Sequence, residues 1–174
     1  MTILLAGFGG QGVLFAGKLL TYAGMIMGRE VSWLPSYGPE MRGGTANCGV
    51  VISETPIGSP IVLRPELLVA MNLPSYDKFE PLTESGGKIF VDTSLVSREP
   101  ARNDAETFGI PAARIAEENG LKGIANIVMV GKLIAETNLC TLEQAIAALE
   151  KTVPPRKSAM LEHNIKAIKL GMTL

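Results

Sequence analysis

One histidine and two cysteines are all that this chain of 174 residues offers as imidazole and thiolate ligands. Cys48 and Cys140 lie far apart with no Cys-x-x-Cys spacing, which excludes a disulfide framework and an encoded iron–sulfur or zinc site. Each reads as a small buried apolar residue. An excess of either charge is lacking too. With 16 basic residues against 17 acidic ones and no basic run, neither nucleic acid nor an anionic membrane is a suitable partner. No apolar run approaches a membrane span and no charged leader opens the chain, so a cytoplasmic protein is expected. The single His163, between Glu162 and Asn164 in a polar stretch, reads as a surface group.

What is present begins at the first residues. Ile3-Leu4-Leu5-Ala6 breaks into Gly7-Phe8-Gly9-Gly10-Gln11-Gly12, and the apolar residues that follow change to helical spacing. This predicts strand, glycine turn and helix. Backbone without side chains can take positive φ and turn successive N–H groups toward an anion beside a helix N-terminus, so phosphate is the natural guest. Gly7-x-Gly9-x-x-Gly12 also has the dinucleotide spacing. The carboxylate that would hold a ribose is missing, because Val31 to Leu34 ends in Pro35-Ser36 and Glu30 precedes it. A phosphate cradle and a purely structural turn both stay open. Gln11 either turns its amide into the cleft or caps the turn.

A helix over Val13 to Met27, stopped by Gly28, and a strand from Val31 lead to the densest turn chemistry in the chain. Residues 35–44 hold two prolines and three glycines. Strands are expected at Cys48–Ser53, Leu67–Met71, Lys88–Val91 and Thr107–Ile110, with a short edge strand at Ile61–Leu63. Ser75 is expected to cap a helix through Leu82, and Arg98–Glu106 to be a solvated loop. Pro111 opens a helix that Gly120 ends, Asn126–Asn138 is a buried segment, and Thr141-Leu142-Glu143-Gln144 is a capping box for a helix to about Lys151. A last helix spans Ser158–Ile168, closed by Gly171. The sum is one domain over 1–174: α/β, Rossmann-like and doubly wound on a mainly parallel sheet, with a helical C-terminal third. The glycine loop, the loop after strand two and Asp92-Thr93-Ser94 then share the carboxyl edge of the sheet, where such folds bind ligands. Asp92-Thr93-Ser94 suits a ligand contact or a helix cap.

Gly-Phe-Gly-Gly-Gln-Gly at the start, Pro-Ser-Tyr-Gly-Pro-Glu-Met-Arg-Gly-Gly-Thr-Ala at 35–46, and Ile-Ala-Glu-Glu-Asn-Gly followed by Asn126-Ile127-Val128-Met129-Val130-Gly131 resemble the gamma subunit, or fused gamma domain, of the 2-oxoacid:ferredoxin oxidoreductases. The second motif is the specific one, since glycine-rich turns after a first strand occur in many folds. The resemblance implies a multi-subunit enzyme that decarboxylates a 2-oxoacid on thiamine diphosphate, passes electrons through iron–sulfur clusters to ferredoxin, and forms an acyl-coenzyme A. The chain has no Asp-Gly dipeptide and hence no Gly-Asp-Gly motif for the diphosphate's magnesium, so thiamine diphosphate, magnesium and the clusters are expected in partner subunits only. Those partners are alpha and beta chains and a ferredoxin-like delta chain.

Coenzyme A is the ligand that the resemblance assigns to this part. Gly7, Gly9, Gly10, Gln11 and Gly12 would face its phosphates, with Arg42 between Glu40 and Gly43-Gly44 supplying a guanidinium. Arg42 tying its own loop to Glu40 is the plainer alternative. Ser36, Tyr37 and Glu40 belong to an interface or active-site loop, Tyr37 packing on a partner and Glu40 orienting Arg42. No residue reads as catalytic and none as a metal ligand. A hydrophobic fraction of 47% with eight methionines suggests apolar surface for the partners, and self-association in their absence. Short separate gamma chains of this kind resemble those of 2-oxoglutarate enzymes; pyruvate, branched-chain and indolepyruvate relatives share the motifs. A non-catalytic nucleotide-binding module and a purely structural subunit are the readings of another class.

Overall fold

The computed structural model describes residues 1–36, 46–155 and 158–174. Its centre is a six-stranded sheet in the order β2-β3-β1-β4-β5-β6. The strands are β1 (Thr2–Gly7), β2 (Glu30–Ser36), β3 (Ala46–Ser53), β4 (Leu67–Ala70), β5 (Lys88–Asp92) and β6 (Glu106–Ile110). Pairing is parallel from β1 through β4 and β5 to β6, while β3 runs antiparallel to both β1 and β2. The sheet is therefore mixed but mainly parallel, and only β3 points against the rest.

Near-continuous apolar strands are what burial on both faces demands. In β1 the side chains alternate across the sheet. Ile3 and Leu5 join the larger core under α1 (Val13–Ile26), α3 (Ala112–Glu118) and α4 (Ala125–Thr137), while Leu4 and Ala6 meet Tyr76 and Phe79 of α2 (Leu73–Phe79) on the other face. Outside α4, α5 (Leu142–Thr152) and α6 (Ala159–Met172) complete the helical C-terminal third. Helices thus lie on both faces, unequally. Gly24 explains how closely α1 approaches the β2–β3 pair, because a Cβ there would stand 2.6 Å from Val31 Cγ1.

Most of the expected elements are present, and the departures have physical reasons. Ile61–Leu63 forms no strand; Pro56, Pro60 and Pro65 strip donors from this stretch, and Val62 instead packs over Gly49 of β3. The cap of α2 is Asn72, whose Oδ1 accepts from Ser75 N at 2.9 Å. Pro74 fits the first turn of a helix, which moves the start ahead of Ser75, and α2 yields to a 3-10 turn at Glu80–Leu82. Gly171 does not close the last helix. It lies inside α6, where a Cβ would collide with the Val128 carbonyl of α4, so it is a contact glycine between two crossing helices. Glu30 opens β2 opposite Ser53, and Pro35 is tolerated within β2 because that strand is an edge. The capping box at Thr141 and Gln144 forms as expected.

Candidate functional site

The carboxyl ends of β1, β2, β4, β5 and β6 share one edge of the sheet, and β3 begins there. Gly7 stands opposite Ala46, and Ser36 opposite Asn47, which puts Ser36 two strands from Gly7, roughly 10 Å away. Ser36 is exposed. Tyr37, Glu40, Arg42, Gly43 and Gly44 lie outside the described residues; Ser36 and Ala46, which bound their segment, are both on this edge.

The glycines of the loop divide by role. A Cβ on Gly7 would meet Gln11 Oε1 at 2.7 Å and Met71 Cβ at 3.0 Å, so that position is a packing requirement. Gly12 has φ +74° and caps α1, and its carbonyl accepts from Asn126 Nδ2 of α4 at 3.0 Å. There a Cβ would stand 2.5 Å from the same Nδ2. Gly9 and Gly10 are different: among the described residues a Cβ on either would touch nothing within 4 Å, and Gly10 has φ +94°. The N–H groups of Gly9, Gly10 and Gly12 make no hydrogen bond among the described residues. These are the donors a ligand would find.

Gln11 takes the turn-capping role rather than the cleft-facing one. Its Oε1 accepts from Phe8 N at 2.6 Å and from Asn72 Nδ2 at 3.1 Å, while its Nε2 donates to Met71 O at 2.8 Å. Both ends of the amide are committed, and with them the Phe8 N–H. Asp92 likewise serves as a cap. Its carboxylate, fully buried, accepts from Ser94 N at 3.0 Å and Ala113 N at 3.2 Å at the start of α3, with Ser94 Oγ accepting from Arg114 N. His163 is exposed beside the Ala159 carbonyl. Burial pushes the Cys48 thiol up to about 12 and that of Cys140 to about 11, which suits inert packing groups.

Two polar features were not legible in the sequence. The first is a cavity of about 480 Å³ between the glycine loop, α1, α4 and α6, whose lining includes Asn126 and Asn164. An asparagine opening the apolar run Ile127-Val128-Met129-Val130 was the available signal. The second lies on the far face of the sheet, where the segment after Val96 is not merely solvated. Glu80, 2% exposed, accepts from the Tyr76 hydroxyl at 3.0 Å and Ala101 N at 2.9 Å and pairs with the Arg98 guanidinium, which also covers the Tyr76 ring at 4.3 Å. Burial alone would raise the Glu80 carboxyl; Arg98, the Ala101 N–H and Tyr76 outweigh it and hold it below the ordinary range. Burial and the neighbouring Glu80 push Tyr76 up to about 12. Local charge composition does not reveal such pairing.

Among the described residues no cluster of three or more His, Cys, Asp or Glu side chains is placed to hold a metal ion, and no helix is long and apolar enough to cross a membrane. The family model for pyruvate ferredoxin/flavodoxin oxidoreductase matches residues 2–174. The chain is 41% identical to the 2-oxoglutarate synthase subunit KorC of Methanocaldococcus jannaschii, covering 97% of this chain and 90% of that protein. It is 39% identical to the ketoisovalerate oxidoreductase subunit VorA of Methanothermobacter marburgensis over 97% of this chain, but spans only 35% of that relative's length. Among solved structures it resembles the gamma subunit of a keto/oxoacid ferredoxin oxidoreductase from Geobacter sulfurreducens, with a TM-score of 0.85, 30% identity, and coverage of 99% of this chain and 96% of that one. A 2-oxoglutarate:ferredoxin oxidoreductase from Magnetococcus marinus, with 2-oxoglutarate, coenzyme A and succinyl-CoA bound, shares the fold at a TM-score of 0.87 and 22% identity, this chain covering 30% of it.

Proposed function

Because this chain belongs to the pyruvate ferredoxin/flavodoxin oxidoreductase family, we propose that it works as the gamma subunit of a 2-oxoacid:ferredoxin oxidoreductase, and that its glycine edge binds phosphates of coenzyme A. Oxidative decarboxylation is then a property of the assembly, with thiamine diphosphate, magnesium and iron–sulfur clusters supplied by alpha, beta and delta partners and ferredoxin as the acceptor. The observation that carries the reading is the set of N–H groups at Gly9, Gly10 and Gly12 that are uncommitted among the described residues, beside the N-terminus of α1, with no described residue close to a Cβ on Gly9 or Gly10. Such donors stabilise an anion without adding a charge. Arg42, Gly43 and Gly44, on the segment that starts and ends at this edge, would supply a charge-assisted contact, with Ser36, Tyr37 and Glu40 shaping the approach.

The favoured substrate is 2-oxoglutarate, because the KorC relative matches this chain over nearly its own full length. The likeness to VorA supports a branched-chain 2-oxoacid as the second reading. Purifying the chain with its natural partners and assaying a panel of 2-oxoacids decides between them. By itself the chain should reduce no dye with any 2-oxoacid; activity from the lone chain would sink the assignment.

Gly9→Val is the sharper test of the edge. A Cβ there meets no described residue within 4 Å and needs no left-handed backbone, so the fold should be unchanged while the anion's approach is blocked. In the assembled enzyme, KM for coenzyme A should rise tenfold or more in Gly9→Val, and tenfold to a hundredfold in Arg42→Ala, each factor of ten standing for about 1.4 kcal/mol. An unchanged KM in both variants would leave the loop a structural turn.

A further inference from the structure

Residues 8–11 form a turn that one residue closes twice. Gln11 N donates to Phe8 O at 3.2 Å, and the Gln11 side chain returns to the same residue, its Oε1 accepting from Phe8 N at 2.6 Å. Both backbone polar groups of Phe8 are thus taken by Gln11. The Gln11 Nε2 then ties the closed turn to Met71 O, just past the end of β4, at 2.8 Å. Only an amide can do this, accepting from Phe8 N with one end and donating to a carbonyl with the other.

The two residues inside the turn lack such ties. Gly9 and Gly10 carry no side chains, and neither N–H has a partner among the described residues. A left-handed φ of +94° at Gly10, with none at Gly9, is the pattern of a type II turn. Turning over the peptide between them gives the type I form, which two glycines also permit. That rotation exchanges the Gly10 N–H for the Gly9 carbonyl. Where an anion is to be held, the exchange turns attraction into repulsion. We propose that Gln11 is a positioning residue for the coenzyme step: it touches no ligand, and by clasping Phe8 and Met71 it holds the Gly9–Gly10 peptide in the orientation that presents the Gly10 N–H to a phosphate. The inference rests on the coenzyme A reading of this edge for its ligand and on the turn's own bonds for its geometry.

The test is steady-state kinetics of the assembled enzyme, with coenzyme A and the 2-oxoacid varied in turn. Gln11→Met keeps the length of the side chain and loses its hydrogen bonds; KM for coenzyme A should rise about tenfold, while kcat and KM for the 2-oxoacid change less than about twofold. A residue that only supported the fold would lower kcat or move both KM values together. Combining Gln11→Met with Gly9→Val asks whether Gln11 acts through the turn. If it does, the double variant is no weaker than the weaker single one, whereas independent contributions multiply. Should Gln11→Met fail to assemble, Gln11→Glu carries the same comparison, since it keeps the acceptor for Phe8 N and sets an oxygen against Met71 O. Multiplying effects, an equal rise in both KM values, or a rise in Gln11→Met with none in Gly9→Val overturns the proposal. The two readings fail separately. A raised KM for coenzyme A in Gly9→Val and Arg42→Ala with Gln11→Met unchanged keeps the edge and removes the positioning role, while an unchanged KM in all three removes both.

Discussion

Two loops on this sheet treat their polar groups in opposite ways. In the segment after Val96, Arg98 reaches Glu80, Arg102 reaches the Glu80 and Thr83 carbonyls, and Ala101 N also ends on Glu80, so these groups pair with one another. Among the described residues, the backbone donors of Gly9 and Gly10 have no partner, and behind Gly12 neither has Asn126 Oδ1. The first arrangement holds the fold together. The second is the arrangement that the proposed ligand would complete, so the richest charge cluster is not where the coenzyme is proposed to bind.

The comparison breaks most visibly at Glu80. Glu80→Ala leaves Arg98 without its buried partner, and since the Arg98 side chain is 32% exposed the loss should fall at the lower end of the range for buried pairs, about 3 kcal/mol by urea denaturation. Coenzyme binding should be untouched. Next in size is Gly12→Ala, which forces a Cβ into the left-handed region and against Asn126, for ~1–3 kcal/mol. A stability loss together with weakened ligand binding is expected there, because the same residue carries one of the edge's N–H donors.

Acid should separate the loops next. The Glu80 carboxyl is held below its ordinary value, so the folded state takes up its proton later than the unfolded chain. Its contribution is complete above the unfolded value of about 4.3 and is lost as pH falls through the lower folded one. Glu80→Gln should flatten the acid limb of a stability–pH curve; an unchanged limb would assign it to other carboxylates. The smallest effect belongs to Gly9→Ala, expected within about 0.5 kcal/mol of the parent, since its Cβ meets no described residue within 4 Å.

Where one local rule decided the outcome, the sequence was readable. The β1–glycine–α1 unit follows from an apolar run, a φ-permissive break and a change of period, and the α5 cap from Thr141 and Gln144 three residues apart. Where two rules competed, local reading lost: the apolar run Ile61–Leu63 argued for a strand, but three surrounding prolines and contact with Gly49 decided otherwise. Gly171 had the composition of a helix stop and the geometry of a helix crossing. In the glycine loop, spacing drew attention to Gly9, Gly10 and Gly12, whereas the commitment of Gln11 to Met71 and Asn72 depends on β4 lying beside β1, a pairing no local pattern encodes. Asn164 was hidden for the same reason. Only the crossing of α4 and α6 brings it toward the glycine loop.

The bond from Asn72 to Gln11 makes the glycine loop one arm of a lever that passes through the sheet. Asn72 is 2% exposed, and its amide holds Gln11 with the nitrogen and Ser75 N of α2 with the oxygen, although α1 and α2 lie on opposite faces. Any ligand that shifts Gln11 pulls on the first turn of a helix it never touches. Slowed or quickened hydrogen exchange at the Ser75 amide would then register occupancy of the edge from the reverse side of the molecule.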